Sequence, residues 1–298
     1  MLTPPRLSLI VPAFDCPALL LRCLQSLQQQ SMLDFEVIVV DDGSEPTLYT
    51  QLPLALSDSP RLRWLRHAHN QGRAAARNTG WRAARAELLV FLDADMAVAA
   101  DFVAQHWRFH LQQGPGWLGQ GKIIGTSDGQ AQPVASLWTD ASQAVFATGN
   151  VSVPRKAMVV SGGFDEAFTE YGWEDLELGW RLLQHGYRSG RVPATAWHYE
   201  PLPQWQPEAL ARDRARAEAA GRGAALFFTK HPTLAVRWMT QLAWPQAVLD
   251  SALLGGRREQ FWLVLARYML KSQPKLGLAL YRLVLNHYTV QAARRARL

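Results

Sequence analysis

Two aspartates, Asp93 and Asp95, close the stretch FLDAD and stand on alternate residues. The five residues before them, 88–92, are all apolar, which predicts a buried β-strand. Carboxylates held close together repel one another, and a bound divalent cation removes that cost. Oxygen ligands suit Mg²⁺ or Mn²⁺, and these cations commonly bridge to substrate phosphates. The pair therefore predicts a binding site for a metal ion and a diphosphate, although a single strand-terminal Asp is more often a turn former.

Acidic residues also follow two other predicted strands. The first strand ends in PAFD, residues 12–15, and the second ends in DDGS, residues 41–44. In open α/β sheets, ligands bind beyond the carboxyl ends of the strands, so five acids are predicted to converge on one crevice. The sequence contains neither a Gly-x-Gly-x-x-Gly fingerprint after the first strand nor a Walker loop. Metal and basic side chains must therefore hold the phosphates.

Strand-like and helix-like segments alternate through the first part of the chain. Continuous apolar strands separated by helices predict an α/β fold with a mostly parallel sheet covered by helices on both faces. The predicted strands are 6–12, 35–40, 61–67 and 87–92, and the predicted helices are 17–30 and 72–86.

The alternation ends near residue 115. Short strands are predicted near 117–124 and 145–153, a helix at 174–186 and another strand near 188–192, and the chain beyond Pro207 is predicted to be helical. The prediction is thus an α/β domain over residues 1–205, followed by a basic, aromatic-rich helical region over residues 206–298.

The charge of the chain is unevenly distributed. Residues 1–205 carry 16 Lys and Arg against 20 Asp and Glu, a net −4, whereas residues 206–298 carry 15 against 5, a net +10. This asymmetry predicts an anionic partner for region 206–298. An anionic membrane surface fits its mixture of aromatic, aliphatic and basic residues, and nucleic acid is not expected because no recognised binding motif accompanies the charge. The alternative is a helical subdomain that packs on the catalytic body with basic solvent faces.

Two cysteines, Cys16 and Cys23, lie seven positions apart on the first predicted helix. Their Cα atoms would be about 10 Å apart, too far for a disulfide, so both are expected to be reduced thiols. No apolar run has the length of a signal-peptide core or of a membrane-spanning helix. The expected location is the cytoplasm, with peripheral attachment to the inner face of the membrane if region 206–298 binds lipid.

Four linked motifs resemble the family 2 glycosyltransferases, which have the GT-A fold. They are LSLIVPAFD, FEVIVVDDGS, NQGRAAARNTGWRAARAELLVFLDADM and GNVSVPRKAMVVSGGFDEAFTEYGWEDLELGWRL, in the family's order over roughly residues 6–200. The last motif is most similar to galactosyltransferase-type and chondroitin-polymerase-type members.

The resemblance implies an inverting, metal-dependent transfer from a nucleotide diphosphate sugar, with a UDP-sugar favoured, to a hydroxyl of a saccharide or lipid-linked acceptor. Such reactions build glycans, glycolipids or cell-surface polysaccharides.

The resemblance also implies roles for residues beside the donor. Asp42 resembles the acid that accepts from the nucleobase N–H, and Asp93 resembles the acid near the ribose. Arg73 is expected to contact phosphate or base, with Arg77 in the same segment. The full predicted nucleotide-sugar set is Pro12, Ala13, Phe14, Asp42, Asn70, Gly72, Arg73, Asp93 and Ala94.

By the same resemblance, Asp95 is expected to bind Mn²⁺ or Mg²⁺, and His198 of WHYE is expected to complete the metal site. Asp175 resembles the catalytic base, with Glu174 beside it in contact with the acceptor. From its position beside these acids, Trp173 is a candidate platform on which the acceptor sugar stacks. An inverting displacement needs a base on the acceptor side and charge neutralisation on the leaving side, which this division of acids supplies.

Other interpretations stay open at this point. Glu174 and Asp175 could simply favour a helix N-terminus, His198 could be a hydrogen-bonded strand residue, and Trp173 could be a core residue. His106 and His110 could clamp a metal, but no acid or third histidine is tied to them. The alternative functions are a carboxylate-pair hydrolase acting on sugars or phosphate esters, and a non-catalytic nucleotide-sugar binding protein.

Overall fold

The computed structural model of the chain describes residues 4–126, 146–199, 204–243, 250, 253–255 and 258–296. These residues form two compact units. The first unit contains the described residues up to 169 together with 174–199, and the second contains 170–173 and the described residues from 204 onward. The domain limit at residue 205 stays a prediction, because segment 170–173 groups with the later residues.

The first unit is built on one eight-stranded sheet with the order β3-β2-β1-β4-β7-β6-β8-β5. The strands are β1 (Leu7–Ala13), β2 (Phe35–Asp41), β3 (Leu62–Arg66), β4 (Leu88–Leu92), β5 (Met96–Val98), β6 (Trp117–Thr126), β7 (Asn150–Pro154) and β8 (Arg188–Tyr199).

Half of the sheet is parallel, as the alternating pattern predicts. The pairs β1–β2, β1–β4 and β2–β3 are all parallel, and Ala13 stands opposite Asp41 in the register of the first pair. Beyond β4 the sheet is mixed, because β7 is antiparallel to both β4 and β6, β8 is parallel to β6, and β5 is antiparallel to β8. The parallel half is the part with helical crossovers, which parallel neighbours require.

Seven helices are described in the first unit. They are α1 (Pro17–Gln28), α2 (Leu48–Gln51), α3 (Leu54–Ser57), α4 (Arg73–Ala83), α5 (Phe102–Gln113), α6 (Arg155–Ser161) and α7 (Glu174–Gln184).

Both faces of the sheet are covered, which explains why the strands are apolar on consecutive residues. Along β1, Leu9 belongs to a core cluster that includes Leu20 of α1 and Phe102 of α5. The next residue, Ile10, belongs to a second cluster that includes Trp81 of α4 and Leu178 of α7. Successive side chains of a strand point to opposite faces, so one strand serves two cores.

The second unit contains four described helices: α8 (Pro207–Lys230), α9 (Leu234–Met239), α10 (Arg258–Ser272) and α11 (Pro274–Arg295). The Tyr281 hydroxyl of α11 donates to Asp213 of α8 at 2.6 Å, which ties these two helices together. Within the described residues, no helix is both long enough and apolar enough to cross a bilayer.

The structure differs from the sequence prediction at two strands and agrees with it at the two cysteines. β8 extends to Tyr199, well past the predicted end at 192, and the three-residue strand β5 was not predicted. A strand of three residues is too short to show a period. Cys16, directly before α1, and Cys23, within α1, are both free thiols, as predicted.

Gly43 of DDGS and Gly114 after α5 offer a matched test of the turn beside the sheet edge. Both have φ near +85°, but a Cβ on Gly43 would lie 2.5 Å from the His69 carbonyl carbon, whereas a Cβ on Gly114 would meet nothing within 4 Å. We expect Gly114→Ala to lower the free energy of unfolding by about 1 kcal/mol through backbone strain alone. Gly43→Ala should lower it by about 1–3 kcal/mol more, because the backbone must also move. Urea denaturation of both variants measures the two losses of unfolding free energy. Equal losses would show that the backbone of His69 does not restrict a side chain at Gly43.

Candidate functional site

Asp41 and Asp42 have different tasks although they are adjacent. Asp41 ends β2 and accepts hydrogen bonds from Ser44 N, Leu48 N and the Thr47 hydroxyl at 2.9–3.0 Å, so its carboxylate folds its own loop. These contacts, together with burial of the whole residue, remove Asp41 from the predicted convergence of five acids. Adjacent residues on an extended chain point to opposite sides, which separates the two carboxylates.

The buried carboxylate of Asp42 instead holds the loop before α4. Its Oδ1 accepts from Gln71 N at 2.9 Å and lies 2.6 Å from His67 Nδ1, and its Oδ2 accepts from Gly72 N at 2.9 Å. Asn70 Oδ1 accepts from the same Gly72 N–H at 3.1 Å. Each carboxylate oxygen has two lone pairs, so Oδ2 keeps one for a ligand donor. The predicted nucleobase contact of Asp42 stays a prediction.

The end of β1 lies beside this loop. Asp42 N donates to Ala13 O at 2.9 Å, which places Pro12, Ala13 and Phe14 next to the DDGS segment. The Phe14 side chain is exposed, although it directly follows β1, whose residues are mostly buried. An exposed aromatic ring at this edge can stack on a flat ligand group.

A buried arginine joins two parts of the chain that are far apart in sequence. Arg77 of α4 is 1% exposed; its Nη2 donates to Asp93 Oδ1 at 2.7 Å and its Nη1 donates to Glu174 Oε1 at 2.9 Å. Its planar fork of N–H donors suits two carboxylates at once. The end of β4 and the N-terminus of α7 are therefore held together by one guanidinium.

The charges around Arg77 act on one another. Burial alone would raise the pKa of Asp93, but the positive charges of Arg77 and Arg73 outweigh it and hold this pKa below its usual value. The neighbouring carboxylates Asp93 and Glu174 raise the pKa of Arg77 despite its burial, and Asp175 adds to this. Arg73 and Arg77 therefore act on Asp93, and Asp93, Glu174 and Asp175 act on Arg77, within one group of charges.

Asp95 and His198 meet because β5 pairs with β8. The register puts Met96 opposite His198, Tyr199 N donates to Asp95 O at 3.1 Å, and His198 Nε2 lies 3.2 Å from Asp95 Oδ2. The other oxygen, Asp95 Oδ1, is buried and has no hydrogen-bond partner among the described residues. An orphaned carboxylate oxygen beside an imidazole is a fitting donor set for Mn²⁺ or Mg²⁺.

Asp95 and His198 would supply two ligands to such a cation. In the described part of the chain, no cluster of three or more His, Cys, Asp or Glu side chains could hold a metal ion. A divalent cation at Asp95 and His198 would therefore complete its shell with diphosphate oxygens and water, which is how these ions commonly bind phosphorylated substrates.

Asp175 lies in the first turn of α7, where its Oδ1 accepts from Leu176 N at 2.8 Å. Burial, reinforced by the charge of Glu174, raises the pKa of Asp175 to about 7, although Arg77 and the Leu176 N–H oppose the shift. A carboxylate with this pKa is well matched to accept a proton at neutral pH. The adjacent Glu174 is buried, and its Oε2 has no hydrogen-bond partner among the described residues.

The candidate histidine pair and the candidate Trp173 each contact other residues of the protein. His106 Nδ1 and His110 Nε2 both lie 2.9 Å from the Ser152 hydroxyl, and burial lowers the pKa of each imidazole, to about 3 and about 4. These histidines therefore join α5 to β7 by hydrogen bonds. Trp173 belongs to the second unit, where its ring centroid lies 6.0 Å from that of Phe227, so its predicted acceptor contact stays a prediction.

Asn78 is an organising residue that the sequence did not reveal. Its Nδ2 donates to Phe164 O and Glu166 Oε1 at 2.8 and 2.7 Å, and its Oδ1 accepts from Phe164 N and Trp81 Nε1 at 2.9 Å. All four bonding positions of the amide are used, so α4 fixes the GGFDE loop that precedes α7. An isolated Asn inside an Ala/Arg-rich helix carries no signal of this role.

Comparison with known families connects this geometry to a class of enzymes. Residues 8–154 match the model described as glycosyl transferase family 2, and residues 136–204 match the model described as the N-terminal domain of galactosyltransferase. The chain belongs to glycosyltransferase family 2. The matched ranges contain the residues at the ends of β1, β2 and β4, and those at the start of α7.

Individual relatives of this family 2 chain are distant. Validoxylamine A glucosyltransferase of Streptomyces hygroscopicus subsp. jinggangensis is 29% identical over 85% of this chain and 66% of its own length. Hyaluronan synthase of Pasteurella multocida is 30% identical over 65% of this chain and 24% of its own length. The chain spans 60–66% of the length of the first relatives that it matches.

The fold has a solved counterpart. A mannosyltransferase from Pyrobaculum calidifontis, solved with GDP-Man and Mn²⁺, matches with a TM-score of 0.63 and 20% identity over 99% of this chain and 87% of that one. At this identity the likeness shows the fold, which is the GT-A fold expected from the four motifs.

Replacing Arg77 should destabilise the first unit strongly. In Arg77→Met the carboxylates of Asp93 and Glu174 lose their shared cation while staying inside the protein, so we expect the free energy of unfolding to fall by about 3–5 kcal/mol. Arg82→Ala is the control, since Arg82 lies on the same helix, is 55% exposed and stands 3.6 Å from Glu166. That pair should contribute less than about 1 kcal/mol. Urea denaturation measures both, and similar losses would contradict the special role of Arg77.

Proposed function

We propose that the protein is an inverting, metal-dependent glycosyltransferase that moves a sugar from a nucleotide diphosphate sugar to an acceptor hydroxyl. The observation that carries this proposal is the arrangement around Arg77. Asp93, two residues before Asp95, and Glu174, one residue before Asp175, bind the same guanidinium. The donor-side acids and the acceptor-side acid are thereby held in one neighbourhood while their tasks stay separate.

Asp175 is proposed to be the general base. A pKa of about 7 means that near neutral pH a large fraction of the carboxyl is ionised and still basic enough to accept a proton from an attacking hydroxyl. Glu174 Oε1 accepts from Arg77, and its Oε2, which has no hydrogen-bond partner in the part of the chain that the structure describes, is proposed to accept a hydrogen bond from the acceptor sugar. In an inverting displacement the base and the leaving group act on opposite sides of the reacting carbon.

Asp95 and His198 are proposed to hold the divalent cation. When bound, that cation neutralises the charge that develops on the departing diphosphate. Arg73, exposed at the first turn of α4, is proposed to contact the phosphates or the base, and helix N-termini favour such anions. Phe14 and Asp42 are proposed to contact the nucleobase, by stacking and by hydrogen bonding.

The identity of the nucleotide and the class of the acceptor are more specific proposals. We favour a UDP-sugar, as the four motifs imply, although the structural counterpart from Pyrobaculum calidifontis was solved with GDP-Man and Mn²⁺. Binding of UDP and of GDP in the presence of Mn²⁺ distinguishes them. A saccharide or lipid-linked acceptor fits the relatives, which include enzymes named for hyaluronan and chondroitin synthesis.

Asp175→Asn should separate binding from catalysis. The amide cannot accept the hydroxyl proton, so kcat should fall by about 10²–10⁴, while the Kd for nucleoside diphosphate with Mn²⁺ stays within about twofold. Asp101→Asn, an exposed position before α5, is the matched control and should keep full turnover. Transfer assays and calorimetry give both readouts, and retained turnover in Asp175→Asn would place the base elsewhere.

The pH profile of the wild type follows from the raised pKa of Asp175. Since the base works only when ionised, kcat/KM should rise with pH up to about 7 and level off above it. The profile is measured with saturating Mn²⁺ over pH 5.5–8.5. A profile that is already flat at about pH 5.5 would show that a carboxyl of ordinary pKa, or none, accepts the proton.

Removal of either metal ligand should abolish the effect of the cation on nucleotide binding. In the wild type, Mn²⁺ should tighten the binding of a nucleoside diphosphate, and Asp95→Asn or His198→Gln should reduce that tightening by more than about tenfold. His185→Gln changes an exposed histidine at the end of α7 and should leave it intact. Calorimetric titrations with Mn²⁺ and with EDTA give the comparison, and equal Kd values in both media would contradict a bridging metal.

The same assays address the alternative functions. A carboxylate-pair hydrolase would cleave the donor at a rate that does not depend on the acceptor, and a binding protein would show nucleotide affinity without turnover. The ion-paired Asp93, the Asp95–His198 contact and the raised pKa of Asp175 together favour transfer over both.

A further inference from the structure

Helix α10 has a buried face and an exposed face. On its inner side Ala266 is fully buried, and α11 approaches so closely that a Cβ on Gly277 would lie 2.5 Å from Leu270 N. The helical hairpin of α10 and α11 is thus packed along the inner face of α10, and on the outer side the Phe261 ring contacts that of its neighbour Trp262, with centroids 5.5 Å apart.

The outer face carries a stripe of large apolar side chains. Phe261, Val264 and Tyr268 are 62%, 71% and 68% exposed. Positions three and seven residues apart lie on one side of a helix, so the three side chains form a continuous row. Scattered apolar residues are normal on a protein surface, but an aligned, exposed row with aromatic members is typical of an interaction site.

Basic residues flank this apolar stripe. Arg267 and Lys271 are both exposed and lie one helical turn apart beside it, and the exposed Lys275 follows at the start of α11. Glu259 is the one acid of α10, which the structure describes from end to end, and it hydrogen-bonds Tyr288 of α11 and so lies on the inner side. The outer face is therefore apolar and cationic with no acidic side chain.

We propose that this outer face of α10 docks on an anionic lipid surface. Phe261, Val264 and Tyr268 would enter the boundary between headgroups and acyl chains, while Arg267 and Lys271 would contact anionic headgroups. The net charge of +10 over residues 206–298 adds long-range attraction to such a surface. The proposal narrows the expected membrane contact of region 206–298 to one helix face, and it does not depend on the proposed function.

Two other occupants fit this face less well. In a symmetric dimer the same surface would meet itself, so Arg267 and Lys271 would face cations with no acid to pair with. Nucleic acid would satisfy the charges, but a phosphate backbone would leave the apolar row, with Val264 among it, in contact with water. A bilayer matches both the apolar and the cationic part.

Vesicle flotation of the full chain tests the proposal. The wild type should float with phosphatidylcholine vesicles that contain phosphatidylglycerol and remain unbound with phosphatidylcholine alone. Phe261→Ser with Tyr268→Ser should lower the partition coefficient by more than about tenfold through loss of apolar insertion. Arg267→Gln with Lys271→Gln should lower it by about tenfold or more through loss of headgroup attraction. All four positions are exposed, so thermal unfolding should match the wild type.

The controls change one exposed apolar and one exposed basic side chain elsewhere in the protein. Leu111→Ser alters a 65% exposed side chain on α5, and Lys156→Gln alters an exposed lysine on α6; both variants should float like the wild type. Absence of flotation by the wild type, or equal flotation by the α10 variants, would overturn the proposal. A concentration-dependent dimer that Phe261→Ser disperses, or oligonucleotide binding with the same residue dependence in place of vesicle binding, would also overturn it.

Discussion

The ion pairs of Arg77 are the interaction on which the proposed site depends. A buried guanidinium is stable only with its carboxylates, and the carboxylates of Asp93 and Glu174 are stable inside the protein only with the guanidinium. Each partner comes from a different element: α4, the end of β4 and the start of α7. The cost of burying these charges is therefore offset only when all three elements take their places together, which makes the site a consequence of the complete fold.

The two helices beside the site are held by further polar contacts that leave little freedom. Asn78, one residue after Arg77, uses its whole amide on the loop before α7 and on Trp81. Asp42 uses three of its acceptor positions on the segment before α4. A general base must be positioned to within a fraction of an ångström, and these hydrogen bonds fix α4 and the loop before α7, the elements beside the proposed base Asp175, before a substrate binds.

Much of the secondary structure of the first unit can be predicted from the sequence, because the patterns that indicate each strand or helix lie within a short stretch of residues. Continuous apolar strands, helical spacing of Leu20, Leu24 and Leu27, and Pro17 at a helix start predict β1, α1 and their neighbours. Strand-end acids predict the place of Asp42, Asp93 and Asp95, since parallel strands end at a common edge. The sequence could not show that Asp41 serves its own loop, because that depends on hydrogen bonds rather than on residue type.

The later half of the fold depends on pairings that no local pattern reveals. The three residues of β5 acquire meaning only from their antiparallel register with β8, and this register is what brings His198 to Asp95. In the sequence, Arg77 likewise looks like the other arginines of an Ala-rich helix. Its role becomes visible only in the structure, where it binds Asp93 and Glu174. Arg77 carries no local signal of its distant partners, whereas residues at strand ends are marked by their position, and His198 was indicated only by the resemblance to the family.

The separation of Asp95 and His198 by 103 positions in the chain has a consequence for biosynthesis. A ribosome must complete nearly the whole first unit before both residues have left the exit tunnel, so until then only one of the two proposed ligands is available to a cation. Binding at the proposed site would then follow folding rather than guide it, in contrast to small metal-nucleated domains whose ligands are close in sequence. The protein should accordingly reach its native sheet in medium depleted of divalent ions.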